Sequence, residues 1–297
     1  MLQRMHGFTI ERPLTLREAF ICKREFGSSA AYLAGGTDVF VHLKTGRASH
    51  ECLIDLSAIP ELQSVEWLPG GGLLLGSMVT ARSIECSSRI KETYPALSAG
   101  AGMLGSVQIR NLATVGGNVC NAAPSGDCIA PLMAIGALCR IYGENGYYEK
   151  PIEDIFVKTS LTTLRDDILV SLRLPPAQQP NYYHYEKHCV RHNMDLAMTG
   201  VCIYIEETDG IVSKCRIALG AVSPNAVLAK KAAGLLLGNK LNPELAREAG
   251  ETAKTECNPN PHSYRASGEY RRDMVSVLVE KEILDAIGTF ERSGEVE

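Results

Sequence analysis

A chain of 297 residues with 45% apolar side chains holds enough hydrophobic material for more than one core, and its length is that of about two domains. With 22% charged residues the chain is not a disordered one, and a formal net charge of −4 argues against a sequence-independent nucleic-acid binder, which needs a basic surface to neutralise phosphates. Ten cysteines without a single Cys-x-x-Cys leave no tight zinc or iron–sulfur ligand pair and read as reduced, mostly buried thiols.

In chain order, Met1 to Phe8 carries neither the apolar core nor the small-residue cleavage site of a signal peptide. No later run is apolar for the length of a bilayer span, so a cytoplasmic protein is expected, with neither membrane nor nucleic acid as partner. Thr15-Leu16-Arg17-Glu18 is a capping box, and Leu16, Ala19, Phe20 and Phe26 follow near helical spacing until Gly27 stops the helix. Ala30 to Leu33 reads as a short buried strand running into Gly35-Gly36-Thr37-Asp38 and a short helix, Val39 to Lys44, stopped by Gly46. Cys52 to Leu56 reads as a strand. Val65 to Leu68 and Leu73 to Gly76 flank Pro69-Gly70-Gly71-Gly72, a hairpin signal. Thr80 to Ile90 and Pro95 to Leu104 read as helices, and Cys128 to Leu138 is an apolar stretch. The clearest boundary is Leu174-Pro175-Pro176-Ala177-Gln178-Gln179-Pro180, whose three prolines fit neither a helix nor a central strand. Beyond it, Val201 to Ile205 and Ile211 to Leu219 form a hairpin around Asp209-Gly210. One helix opens at Asn242-Pro243-Glu244, with cap and proline in their favoured places, and another covers Ser267 to Ile287. The expected architecture is α+β, in two parts.

Two constellations carry chemistry. In Tyr32-Leu33-Ala34-Gly35-Gly36-Thr37-Asp38-Val39 a strand enters a glycine pair, which lets backbone approach a ligand, and the following helix start offers free N–H groups to an anion. The same residues also make a good turn with a helix cap. In Gln108-Ile109-Arg110-Asn111-Leu112-Ala113-Thr114-Val115-Gly116-Gly117-Asn118 a second glycine pair lies between Thr114 and Asn118, both able to hydrogen-bond a phosphate oxygen. Asp127 follows, either an acceptor for ribose or ribityl hydroxyls or a plain helix N-cap. Two such loops about eighty residues apart can cradle one diphosphate from two sides, and neither has the G-x-G-x-x-G spacing of a Rossmann fold.

Leu33-Ala34-Gly35-Gly36-Thr37-Asp38, then Gln108 to Asn111 running into Thr114-Val115-Gly116-Gly117-Asn118, then Asp127, closely resemble the FAD-binding (medium) subunit of the molybdenum hydroxylase and xanthine dehydrogenase family. The resemblance extends to Asp167-Ile168-Leu169-Val170-Ser171, to Lys187, Arg191 and Asp195-Leu196-Ala197 in a K-x₃-R-x₃-D-x-A pattern, and to Ser263-Tyr264-Arg265-Ala266-Ser267. It implies a two-lobed FAD-binding domain of the vanillyl-alcohol-oxidase/PCMH type over residues 1–176, with lobes of about 1–57 and 58–176. A smaller α+β domain is implied over 181–292. It implies noncovalent FAD, its diphosphate held by residues of the two loops from Tyr32 to Val39 and from Ile109 and Arg110 to Asn118. Asp127 would hold the ribityl chain, Leu169 would pack on the cofactor, and Lys187 would lie near the flavin ring, favouring its negatively charged reduced form. Leu104 stands where several relatives have an aromatic near the flavin. Cys120 stands where animal relatives place an apolar residue beside the ring, and packing is its expected role.

The same resemblance implies a division of labour. A large partner subunit carries molybdopterin and oxidises a substrate such as a purine, a small partner relays electrons through two [2Fe–2S] clusters, and the flavin passes them to NAD⁺. No acid–base or nucleophilic side chain is expected to be catalytic in this chain, and a dimer of heterotrimers is the expected assembly. Two alternatives stay open: a stand-alone FAD oxidase with its own substrate, and a flavin-free assembly module. His184, His188 and His192 recur every fourth residue, but the alternation of Tyr183, Tyr185 and Lys187 favours a strand, and no metal site is expected. The tyrosines beside Lys187 and Arg191 read as packing around a cofactor rather than a base-stacking platform.

Overall fold

A computed structural model describes residues 7–191 and 194–294. The first lobe holds β1 (Thr9–Glu11), α1 (Leu16–Phe26), β2 (Ala30–Leu33), α2 (Val39–Lys44) and β3 (Cys52–Asp55). The second holds β4 (Val65–Trp67), β5 (Leu73–Gly76), α3 (Ala81–Cys86), α4 (Ser88–Thr93), α5 (Pro95–Met103), α6 (Val107–Arg110), α7 (Val115–Asn121) and α8 (Ile129–Ile135). It continues through β6 (Leu138–Gly143), β7 (Gly146–Pro151), β8 (Phe156–Lys158), β9 (Leu161–Thr162) and β10 (Ile168–Leu174). The C-terminal part holds β11 (Asn181–His188), β12 (Thr199–Thr208), β13 (Ile211–Gly220), β14 (Val227–Leu228), α9 (Lys230–Leu236), α10 (Pro243–Thr255) and α11 (Gly268–Gly294). Among the described residues no helix is long and apolar enough to cross a membrane.

The first lobe is a parallel sheet in the order β1-β3-β2, and the helix between β1 and β2 supplies the crossover that parallel pairing demands. That helix starts as the sequence prescribes. The Thr15 hydroxyl accepts from Glu18 N at 3.2 Å, and the Glu18 carboxylate reaches one residue further back than a capping box does, to Leu14 N at 2.8 Å. The second lobe is an antiparallel sheet in the order β4-β5-β10-β6-β7. Its middle strand β10 is buried on both sides: Ile168 and Val170 enter the first lobe's core, while Leu169, Leu172 and Leu174 enter the second's. One strand thereby welds the lobes.

The C-terminal sheet, β11-β12-β13-β14, is likewise two-faced. Val201, Ile203 and Ile205 pack under α9, α10 and α11, whereas Cys202 and Tyr204 join Tyr183 and Tyr185 in the core of the second lobe. This period-two alternation fixes the C-terminal part against the second lobe.

Two expectations change. The single helix over Thr80 to Ile90 is two, because Ser87 is extended (φ −77°, ψ 110°) and its hydroxyl caps a new start by accepting from Ile90 N. The final helix runs beyond Ile287 to Gly294. The β6–β7 hairpin, around Glu144 and Asn145, was not among the expected elements.

Candidate functional site

The two glycine loops meet. They face a cleft of about 630 Å³ enclosed by both lobes and by the loop after β11. Gly35 touches the other loop: a Cβ there would stand 1.9 Å from the Leu112 carbonyl oxygen. A Cβ on Gly116 would stand 2.5 Å from Cβ of Ser77. These glycines therefore serve loop-to-loop and loop-to-sheet contact as much as ligand approach. Gly36 has a different reason, a left-handed φ of 72° that turns the chain into α2.

The loops differ in what they leave free. In the second, Val115 N donates to Val79 O and Gly116 N to Ser77 O (both 2.9 Å), Gly117 N to the Thr114 hydroxyl (3.0 Å), and Asn118 N to Thr114 O. In the first, the N–H groups of Gly35, Gly36, Thr37 and Asp38 take no protein acceptor among the described residues. Free donors for an anion thus come from the first loop. The second adds side chains: Asn118 Oδ1 accepts from Cys128 N at 3.3 Å, which leaves its amide N–H groups available.

Of the residues singled out from sequence, Tyr32, Ala34, Gly35, Gly36, Thr37, Asp38 and Val39 line the cleft. So do Leu104, Ile109, Thr114, Gly116, Gly117, Asn118, Cys120, Asp127 and Leu169. Four do not. Leu33 packs with Leu43 and Leu53. Val115 is fully buried in the second lobe. Arg110 forms a two-pronged pair with Glu85, at 2.8 and 3.2 Å, and donates to Leu104 O, bracing the segment before the second loop. Lys187 is sequestered: Nζ lies 2.9 Å from Asp127 Oδ2 and 3.3 Å from Met103 O, with 4% of the side chain exposed.

Asp127 is no helix cap. Its carboxylate takes the Lys187 ammonium on one oxygen and the Tyr185 hydroxyl, at 3.0 Å, on the other. Burial pushes its pKa up, and Lys187 and Tyr185 pull in the opposite direction. Each oxygen keeps a further lone pair, so the pair still accepts from a ligand hydroxyl in the cleft.

His184 and His188 turn to separate partners. His184 Nδ1 lies 2.7 Å from Glu282 Oε2 and His188 Nε2 lies 2.9 Å from the Tyr270 hydroxyl, while His192 lies outside the described residues. His184, Glu186 and Glu282 offer ligand atoms within 4.8 Å of one another, but Lys281 is within 3.6 Å of Glu186 and 3.2 Å of Glu282 and already supplies a cation.

A family model described as the FAD binding domain in molybdopterin dehydrogenase matches residues 6–177. A second, the CO dehydrogenase flavoprotein C-terminal domain, matches residues 183–286. The chain belongs to this flavoprotein family. It is 30% identical over 263 residues to the xanthine dehydrogenase FAD-binding subunit of Escherichia coli O157:H7, covering 87% of this chain and 89% of that one. It is 29% identical over 275 residues to the carbon monoxide dehydrogenase medium chain of Hydrogenophaga pseudoflava, covering 92% and 95%. A solved carbon monoxide dehydrogenase from that organism, lacking the Mo-pyranopterin moiety, superposes with a TM-score of 0.92 at 28% identity, over 97% of this chain and 99% of that one.

This molybdopterin dehydrogenase flavoprotein thus carries an FAD-binding domain, and its cleft fits the dinucleotide on its own chemistry. A run of free N–H groups suits a diphosphate, Asp127 suits hydroxyls, and Leu104, Ile109 and Leu169 give apolar wall for rings.

Sequence reasoning missed Ser77, Met78, Ser106 and Asn121, and Thr162, Leu164 and Arg165 ahead of the quoted Asp167 to Ser171. Met194, which also lines the cleft, lay just before the quoted Asp195-Leu196-Ala197. None belongs to a glycine-rich motif, so no local signal marked them.

Proposed function

We propose that this flavoprotein holds FAD noncovalently in the two-loop cleft, takes electrons from the [2Fe–2S] clusters of a small partner, and delivers them to NAD⁺. In this reading a large molybdopterin partner oxidises a purine such as xanthine, and the complex is a dimer of heterotrimers. Residues 1–176 form the FAD-binding unit, in lobes of about 1–57 and 58–176, and 181–292 the unit that closes the cleft. The carrying observation is the asymmetric donor set: free N–H groups on Gly35 to Asp38 beside a cleft whose far wall holds Asp127.

FAD supplies two-electron chemistry with one-electron access, which suits a junction between iron–sulfur clusters and a hydride acceptor. The first loop binds and orients the diphosphate through backbone N–H groups. Asp127 accepts from ribityl hydroxyls, and Leu169 packs on the cofactor. Lys187 acts through Asp127: its charge is already paired, so the ring feels an ion pair rather than a lone cation. No side chain transfers a proton in this scheme, consistent with a cleft whose acids are mostly hydrogen-bonded to the protein.

Likeness to the carbon monoxide dehydrogenase medium chain is as close as that to the xanthine dehydrogenase subunit, which favours a second reading in which the large partner oxidises carbon monoxide. Anaerobic titration of the assembled complex decides both points. Bleaching of the visible flavin band by NADH, and by xanthine but not by carbon monoxide, is the expected pattern. A flavin band untouched by NADH removes NAD⁺ as acceptor.

A further inference from the structure

Four carboxylates line the cleft: Asp38, Asp127, Asp167 and Asp195. Three already face a protein donor. Lys187 Nζ lies 2.9 Å from Asp127, the Tyr148 hydroxyl donates to Asp167 across 2.6 Å, and Arg265 Nη1 reaches Asp195 at 3.2 Å. Among the described residues Arg165 is the one lysine or arginine in the lining, and it has neither an ion-pair nor a hydrogen-bond partner.

Its backbone points the same way. Arg165 sits at φ 51°, in the left-handed region that L-residues other than asparagine and aspartate seldom occupy. The turn is pinned on both sides: Asp167 N donates to Leu164 O at 2.7 Å, and the Tyr32 hydroxyl donates to Asp166 O at 2.7 Å. Tyr32 belongs to the strand that enters the first glycine loop. A pinned turn thus sets Arg165, solvent-exposed and unpaired, in the cleft lining, tied through Tyr32 to the strand that enters the loop whose N–H groups are free.

We propose that Arg165 is a specificity-determining residue for the cofactor, its guanidinium taking a phosphate of the adenylate half of FAD together with the N–H groups of Gly35 to Asp38. A guanidinium forks onto two phosphate oxygens and adds a full positive charge to the partial charges of the backbone N–H groups. The inference rests on the cleft being the FAD site.

The test uses the full chain freed of flavin, titrated with FAD, ADP and riboflavin at low and high salt. Arg165→Gln is expected to weaken FAD and ADP roughly tenfold to a hundredfold and to flatten the salt dependence, leaving riboflavin unchanged. Arg165→Lys should recover part of the loss. Arg165→Gly, which removes the charge and relieves the left-handed backbone, should lose the same affinity while Tm holds or rises. FAD binding by Arg165→Gln within about twofold of wild type overturns the role, and so does an equal loss for riboflavin. A wild-type chain that refuses FAD overturns the cleft assignment and the role with it, whereas tight wild-type binding with unaffected variants overturns the role alone.

Discussion

At Gly35 the cleft wall tolerates no side-chain atom, since Leu112 O would be 1.9 Å from a Cβ. Gly35→Ala must therefore push the two loops apart. It is expected to cost about 1–3 kcal/mol, as overpacking does, and to lower flavin retention; urea unfolding followed through Trp67, the single tryptophan, reads the first. Lys187 and Asp127 make a second residue-scale case. Lys187→Met leaves a buried carboxylate without its cation and should destabilise by about 3–5 kcal/mol, whereas Lys187→Met with Asp127→Asn should cost clearly less. A double-variant loss equal to the sum of the two single-variant losses would show that the pair is not coupled. The glycine pairs and Asp127 were legible in the sequence because missing Cβ atoms and a lone acid after Pro124-Ser125-Gly126 are local signals. Arg165 and Ser77 were not, because what brings them to the cleft is the pairing of β10 with β5 across the second lobe, a contact of long sequence separation.

Strand β11 is the element that joins the C-terminal part to the cleft. Its alternation was readable: Tyr183, Tyr185 and Lys187 turn to the second lobe, and Tyr182 and His184 turn to α11, where both meet Glu282 Oε2 at 2.8 and 2.7 Å. What the pattern did not reveal is the partner, since Glu282 lies about a hundred residues later. The pair has a pH signature. The hydrogen bond to Glu282 raises the His184 pKa above its ordinary 6.5, so its stabilisation is fully present below 6.5 and lost as pH rises through the raised value. Burial works against the Glu282 carboxylate, but its bond to His184 and the nearby cations hold its pKa below the ordinary 4.5. Its contribution is present above 4.5 and lost as pH falls through the depressed value. Thermal melts from mildly acidic to alkaline pH should show Tm falling above pH 6.5, and His184→Ala should flatten that fall. With 45% of the imidazole side chain exposed, the effect stays at about 1 kcal/mol or less.

At the scale of the whole molecule, β10 and the C-terminal sheet each bury both faces, so the units share cores rather than merely touch. A chain ended after Pro180 would lose Tyr183, Tyr185, Cys202 and Tyr204 from the second lobe's core and Lys187 from Asp127. It is expected to unfold at lower temperature, bind hydrophobic dye and retain no flavin; a compact, dye-free fragment that binds FAD would contradict the shared-core account. The proline-rich boundary was plain in the sequence, yet it marks a joint in the chain rather than a gap in the packing. Burial on two faces shows in a sequence only as a strand apolar throughout, as β12 is from Val201 to Ile205. The most direct test of the account is the visible absorption spectrum of the purified full chain, with identification of the nucleotide released on heating. One noncovalent FAD per chain is the predicted result; a colourless protein that also refuses added FAD would contradict it.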